Sequence, residues 1–196
     1  MEKINFIKTF IPQGDFREKY EHGGMMVRHL AAVLDEKMGA YECYECTVPI
    51  GEYDEGEIQK AFVEFSVKMD ALKLKQAKVD KIAEIAAYDT SSSVNGFVLN
   101  GLLVWLDKAT RVGLMNSTTI AKASGQETTT LWLGGMKLVV DCDKAIQLLS
   151  ALEMYALECF NVTASHKQAV SELTTIEEVE AYDYKAGYPK MLEMSV

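Results

Sequence analysis

The chain has 196 residues, 48% of them hydrophobic and 25% charged, which is typical of a soluble globular protein with a sizeable buried core. Its formal net charge of -9 argues against nucleic acid as a partner, because phosphates bind basic surfaces. No apolar run reaches the ~18 residues that a membrane span needs, and the first residues lack a secretory signal. The sequence therefore predicts a cytoplasmic protein with reduced cysteines and no membrane partner.

The first part of the chain, residues 1–53, predicts a small α+β unit. Residues 4–12 are rich in isoleucine and phenylalanine, which is typical of a strand. Residues 25–39 predict a helix that ends at Gly39, because a helical stripe contains Met26, Leu30, Val33 and Leu34. Residues 41–50 predict a second strand, so that the unit is expected to be strand-helix-strand.

Residues 54–90 predict a long linking helix. Its seam positions are spaced alternately by four and three, over about four heptads, and Gln76 is the polar member. Two interpretations stay open: the seam packs against the protein's own domains, or copies of the chain associate along it as a dimer or trimer. The candidate residues for self-association are Ile58, Phe62, Phe65, Met69, Leu72, Gln76 and Val79.

Residues 91–196 predict a hairpin-helix-hairpin-helix domain. Asn100-Gly101 and Gly134-Gly135 are the hairpin turns, because asparagine and glycine tolerate a positive φ. Asp107 is expected to cap the intervening helix and to pair with Arg111 one turn later. That helix is expected to stop at Gly125.

The second helix of this domain is predicted to start near Asp141. The residues expected to be buried lie on one face of this helix: Ala145, Leu148, Leu149, Leu152, Tyr155, Ala156, Cys159, Val162 and Thr163. Thr174 or Thr175 is expected to cap a last short helix. A tail is expected from Gly187 onward.

The sequence predicts no catalytic residue, no cofactor and no metal site. Cys43 and Cys46 have C-x-x-C spacing, but a predicted strand would point them to opposite faces, so both are interpreted as structural thiols. The three histidines, His22, His29 and His166, lie far apart and match no metal motif.

Trp105 and Trp132 are expected to be core anchors, because both lie among leucines. The alternative is that they form a platform for a ligand. A deep pocket that holds a charge beside either tryptophan would favour that alternative.

About 110 residues at the C-terminal end resemble a domain-of-unknown-function family found in tailed-phage and prophage proteins. The Asp-x-x-Thr-Arg element that starts at Asp107, followed by the second hairpin and the long helix, is the most specific mark. The other matching segments are residues 81–85, 88–91, 97–101, 131–135, 155–159, 175–179, 182–183 and 187–189.

This resemblance implies a non-enzymatic structural or assembly role in a phage or prophage tail, with partners that are copies of the chain or other tail components. It also implies synthesis in the cytoplasm of the bacterial host, with association to the virion left open. One alternative is a tail-fibre assembly chaperone. A second is a small-molecule-binding protein or enzyme that uses a pocket near the tryptophans.

Overall fold

The computed structural model describes residues 4–11, 25–37 and 40–196 of the chain. They belong to two compact units, Met1–Lys73 and Leu74–Val196. Both units contain strands and helical segments, so the predicted α+β class is confirmed.

The N-terminal unit is built on a three-stranded antiparallel sheet. Its strands are β1 (Ile7–Ile11), β2 (Met25–Asp35) and β3 (Ala40–Val48), in the order β1-β3-β2. The two strands expected from the sequence correspond to β1 and β3. Because β3 is central, its backbone is paired on both sides, and Cys43 lies between Thr9 and Leu30 of the flanking strands.

Helix α1 (Glu55–Asp89) follows this sheet, and its first turns bury their apolar residues against it. The helix starts at a reciprocal cap: Glu57 N donates to Asp54 Oδ1 at 2.8 Å, and Asp54 N donates to Glu57 Oε2 at 3.0 Å. Alternate residues of β3 supply the opposing side of the core. The buried residues of this cluster are Phe6, Tyr44, Cys46, Val48 and Ile58, with Phe62 and Phe65 packed against them.

The prediction of a helix over residues 25–39 is wrong, because this segment forms strand β2. Register shifts between Leu30 and Ala32 and between Val33 and Asp35 interrupt the alternation of the strand. Leu30, Val33 and Leu34, which suggested a helical stripe, are all exposed, so their spacing does not mark a buried face. Gly39, the expected helix end, lies outside the described residues.

Backbone pairing and side-chain contacts with neighbouring elements explain why Met25–Asp35 forms a strand. Arg28 Nε donates to Glu45 Oε2 of β3 at 2.7 Å. On the other face, the His29 ring stacks on Phe62 of α1, with ring centroids 3.6 Å apart and planes tilted by 8°. Long-range pairing therefore overrides the local helical preference of this segment.

The C-terminal unit contains the end of α1 and nine further elements. In chain order these are α2 (Ser92–Asn95), β4 (Gly96–Leu99), β5 (Leu102–Trp105), α3 (Lys108–Ala123), β6 (Thr128–Leu133), β7 (Met136–Asp141), α4 (Cys142–Glu172), α5 (Ile176–Ala181) and β8 (Leu192–Met194).

Both predicted hairpin turns are present. Asn100 and Gly101 adopt φ values of 50° and 81°, as a tight two-residue turn requires. Strands β6 and β7 form a two-stranded ribbon, whereas β4 and β5 belong to a sheet in the order β5-β4-β8. Strand β8 pairs in parallel with β4, and this strand was not predicted, because the tail was expected to start at Gly187.

Helix α4 supplies one wall of the core. It begins at the predicted place, where Asp141 Oδ1 accepts hydrogen bonds from Asp143 N at 2.8 Å and Lys144 N at 3.2 Å. The predicted face is confirmed as buried, with Val162 half-buried. The core cluster adds Phe97, Leu99, Val104, Leu131 and Leu133 from the strands.

The last turns of α1 pack on α4 and α5. Ile85, Val170 and Val179 are buried together, and Lys78 Nζ donates to the Ser171 carbonyl at 2.7 Å. Helix α5 is capped by Thr175, which forms a capping box with Glu178. Across the residues that the structure describes, no helix is both long and apolar enough to pass through a bilayer.

Candidate functional site

A groove of about 390 Å³ lies on the C-terminal unit, between the end of α1, the β5–α3 connection and α4. It combines charged residues with large apolar ones. The residues that line it are Asp89, Thr90, Asn95, Trp105, Leu106, Asp107, Lys108, Arg111, Glu153, Ala156, Leu157 and Phe160. We refer to this site as the groove.

Asp107 is positioned at the groove by its role as N-cap of α3, which confirms the predicted cap. Its Oδ1 accepts from Thr110 N at 2.8 Å, and its Oδ2 accepts from Thr110 Oγ1 at 2.7 Å. The backbone N–H of Thr110 stabilises the ionised carboxylate and lowers the pKa of Asp107. Asp107 therefore carries a fixed negative charge at the groove.

Arg111 is buried at the bottom of the groove, with 8% of its surface exposed. Its Nε donates to Glu153 Oε1 of α4 at 2.9 Å, and its Nη1 donates to the Leu106 carbonyl at 2.8 Å. The predicted Asp107–Arg111 pair is wrong, because the Asp107 carboxylate is occupied by Thr110 and the guanidinium turns toward α4. The actual partner of Arg111 is 42 residues away in sequence, so local spacing could not reveal it.

Three large apolar side chains stand around this ion pair. Trp105 is 40% exposed, Leu157 49% and Phe160 60%. Leu157 and Phe160 are one turn apart on α4, beside the face that the helix buries in the core. The groove therefore presents an apolar, partly aromatic rim around a charged floor.

The prediction that both tryptophans are core anchors is wrong. Val104 is the buried residue of β5, and Leu131 and Leu133 are the buried residues of β6; each tryptophan is next to one of them in its strand and therefore points to the other side. Trp132 is 61% exposed on the β6–β7 ribbon and does not line the groove. Residues 102–106 (LLVWL) and 128–133 (TTTLWL) do not alternate between apolar and polar residues, so the sequence did not indicate this outcome.

Asp89, the last residue of α1, lies at the other end of the groove. Its Oδ1 accepts a hydrogen bond from Thr163 Oγ1 of α4 at 2.8 Å, and the same hydroxyl lies 2.9 Å from Tyr188 Oη. Asn95 Nδ2 donates to the Asp89 carbonyl at 2.5 Å. These bonds hold the end of α1 against α4. Neither Asp89 nor Glu153 was predicted as a site residue.

A second polar contact supports the groove from beneath. Tyr155 Oη donates to the Val94 carbonyl at 2.8 Å, and Cys159 Sγ lies 3.3 Å from the same oxygen. Burial raises the pKa of Tyr155 to about 12 and also raises the pKa of the Cys159 thiol. Both groups are neutral near pH 7 and serve as hydrogen-bond donors that fix α2 on α4.

No cysteine or histidine is among the described residues that line the groove. Cys43 and Cys46 are buried free thiols in β3, and burial raises the pKa of each. His29 is stacked on Phe62, whereas His166 contacts Tyr182 Oη at 2.8 Å and the Ala186 carbonyl at 2.9 Å. His22 lies outside the described residues. No cluster of three potential metal ligands occurs in the part of the chain that the structure describes.

The predicted seam residues of α1 fall into two groups, one packed and one exposed. Ile58 is buried and Phe62 and Phe65 pack in the core of the N-terminal unit, while Met69 is half-buried. The remaining positions, Leu72, Gln76 and Val79, are exposed. Over this part of α1 another stripe packs in the C-terminal unit, consisting of Leu74, Ala77, Ile82 and Ile85. Self-association through the exposed positions stays a prediction.

Comparison with known proteins gives the chain a family. No curated protein and no solved structure matches it. The family model described as Domain of unknown function (DUF4376) matches residues 76–186, which is more than half of the chain. The match includes every residue that lines the groove. The protein belongs to the family Domain of unknown function (DUF4376).

Proposed function

We propose that the protein is a non-enzymatic structural or assembly component associated with a phage or prophage tail, and that it works by binding another protein through the groove. The observation that carries the binding role is the exposure of Trp105, Leu157 and Phe160 around one concave site. Exposed apolar groups that cluster in this way are typical of protein-binding surfaces. The phage setting rests on the resemblance described above.

The apolar side chains of the groove are held by rigid elements, which favours a protein partner. Leu157 and Phe160 stand on α4, whose neighbouring face is locked in the core, and Trp105 ends a paired strand. Aromatic side chains held by rigid elements are the usual anchors of protein interfaces, because few rotamers are lost on binding. A partner that covers these side chains would bury apolar area at a modest cost in conformational entropy.

A tail-fibre assembly chaperone would use the same surface transiently. Its client would occupy the groove in producing cells and leave it before the virion is complete. The structural role and the chaperone role therefore differ in whether the protein is present in the completed virion.

A small-molecule binder or enzyme is the second candidate. The observation that favours it is the Arg111–Glu153 ion pair beside Trp105, because a charge in an apolar groove can orient a polar ligand. If this candidate holds, a stoichiometric small ligand should remain on the purified protein in native mass spectrometry.

Chemical cross-linking in producing cells tests the protein-binding proposal. The variant Phe160→Glu places a charge on the rim, and Ile120→Glu is the matched control, since Ile120 is 65% exposed on α3 and does not line the groove. We expect one partner to cross-link to the wild type and to Ile120→Glu, with at least a ten-fold lower yield for Phe160→Glu. Equal yields from all three proteins would overturn the proposal.

Mass spectrometry of purified virions then separates the two protein-binding roles. A tail component should be present in the virion at a fixed copy number. A chaperone should be cross-linked to its client in cells and absent from virions.

A further inference from the structure

We infer that the partner segment recognised by the groove carries a basic side chain, lysine or arginine, next to a bulky apolar one. This inference rests on the proposed protein-binding function and specifies the chemistry of the partner. It follows from the balance of charge in the groove and from the kind of surface around those charges.

The charged side chains of the groove do not cancel. Among the described residues that line it, three are acidic and two are basic. Arg111 and Glu153 neutralise each other through their hydrogen bond of 2.9 Å. The remaining charges are one positive, on Lys108, and two negative, on Asp107 and Asp89, which leaves the groove with a net charge of about -1.

The end of α1 adds to this negative potential. Asp89 is the last residue of a helix of 35 residues, where the backbone carbonyls already place partial negative charge. The last turn of α1, all of which is described, contains no basic residue to offset it. An acidic side chain at a helix C-terminus is unfavourable, so a cation supplied by a partner would relieve that cost.

The opposite helix end in the groove is already compensated. The N-terminus of α3 carries partial positive charge, but the Asp107 carboxylate caps it and accepts from Thr110 N at 2.8 Å. The α3 N-terminus is thus capped and Arg111 is paired with Glu153, so that Lys108, which is exposed, is the one positive charge left among the described residues of the groove to offset Asp107 and Asp89. Asp89 accepts a hydrogen bond from the neutral Thr163 hydroxyl at 2.8 Å but forms no ion pair among the described residues, so its negative charge is not offset by a neighbouring cation.

The apolar rim fits the rest of a basic side chain. Lysine and arginine lay their methylene stems on apolar surface and keep the charged head near water. Trp105 and Phe160 also offer aromatic faces, which attract a cation. A neighbouring leucine or phenylalanine of the partner would then cover Leu157.

Two neighbouring residues give a test of the sign of the partner's charge. Asp107→Asn removes one negative charge and keeps the cap, because asparagine caps helices as well as aspartate does. Lys108→Gln removes the positive charge next to it on the exposed first turn of α3. A basic partner should bind Asp107→Asn about two- to five-fold more weakly and Lys108→Gln more tightly by a similar factor.

The probes are two capped twelve-residue peptides. One consists of leucine, serine and lysine, and the other has the same sequence with glutamate in place of each lysine. Binding to the full chain is followed by the fluorescence of Trp105 in a Trp132→Phe background, which removes the tryptophan outside the groove. We expect about a ten-fold preference for the lysine peptide at low ionic strength, reduced by added salt.

The outcomes are distinct. A lysine preference that falls in Asp107→Asn and rises in Lys108→Gln supports the inference. A preference for the glutamate peptide, no binding of either peptide, or variants that leave the preference unchanged would overturn it. Loss of this inference leaves the cross-linking result with Phe160→Glu intact, so that failure of the partner chemistry and failure of the protein-binding proposal can be told apart.

Discussion

Arg111 of α3 is bound to Glu153 of α4, with Nε donating to Oε1 at 2.9 Å, and this bond joins two helices that are not neighbours in sequence. The same guanidinium donates to the Leu106 carbonyl at 2.8 Å, so that one side chain holds the β5–α3 connection against α4. These two bonds hold the floor of the groove together. The shape of the groove should therefore depend on both Arg111 and Glu153.

The first prediction concerns this pair. Arg111→Met removes both bonds and leaves the Glu153 carboxylate, which is 35% exposed, without its partner. Because Glu153 is partly solvated, we expect a loss of about 1–3 kcal/mol in the free energy of unfolding, less than a fully buried pair would lose. Glu153→Gln keeps an acceptor for Nε and should lose less. Urea denaturation of both variants measures the difference; equal stability of Arg111→Met and the wild type would show that the pair is not structural.

The second prediction compares two buried threonines. Thr163 Oγ1 bonds Asp89 and Tyr188, whereas Thr118 Oγ1 finds no hydrogen-bond partner among the described residues. Valine has nearly the same shape without the hydroxyl. Thr118→Val should therefore raise the free energy of unfolding by about 1 kcal/mol, and Thr163→Val should lower it by about 1–2 kcal/mol. Thermal unfolding checks both; a loss of stability in Thr118→Val would mean that its hydroxyl is bonded after all.

The third prediction concerns acid pH and His29. Burial against Phe62 lowers the pKa of His29 below 6.5. The unfolded chain then binds a proton more readily than the folded one, so the contribution of His29 to stability is complete above pH 6.5 and is lost as the pH falls through the lowered pKa. His29→Phe keeps an aromatic ring without the titration. Once corrected for the intrinsic exchange rate at each pH, the protection of β2 and β3 amides against hydrogen exchange should fall more in the wild type than in His29→Phe between pH 7 and about pH 5, and parallel profiles would contradict this.

The fourth prediction concerns self-association along α1. Phe65 is packed in the N-terminal core, so Phe65→Glu is expected to unfold that unit whatever the oligomeric state. Leu72 and Val79 are exposed, and a glutamate there leaves the cores intact. If copies associate through these positions, light scattering at micromolar concentration should show a dimer or trimer for the wild type and a folded monomer for Leu72→Glu/Val79→Glu. A monomeric wild type would remove the self-association hypothesis.

Local signals in the sequence predicted most elements of the C-terminal unit. Asn100-Gly101, Asp107 and Asp141 act at the turns and caps where they were expected, because these functions depend on neighbouring residues alone. Strand β8 was missed because its pairing with β4 spans almost the whole unit. Pairing of that kind leaves no local pattern.

The errors have physical reasons that involve longer-range structure. The apolar residues around Leu30 have a helical spacing in the sequence but are exposed, and only the pairing with β3 reveals the strand. Arg111 was assigned to the nearest acid although its partner lies on another helix. The exposure of Trp105 and Trp132 follows from strand alternation, a signal that the leucine-rich surroundings concealed. The groove itself is formed by three segments that meet only in the folded unit.

Site-specific photo-cross-linking tests the central claim most directly. A photo-reactive phenylalanine analogue placed at Phe160, on the rim of the groove, samples whatever covers that site in producing cells, and the same analogue at Ile120 on α3 is the control. We predict a single protein adduct from position 160, formed within a segment that contains lysine or arginine, and none of that adduct from position 120. Adducts of equal yield from both positions, or none from position 160, would contradict it.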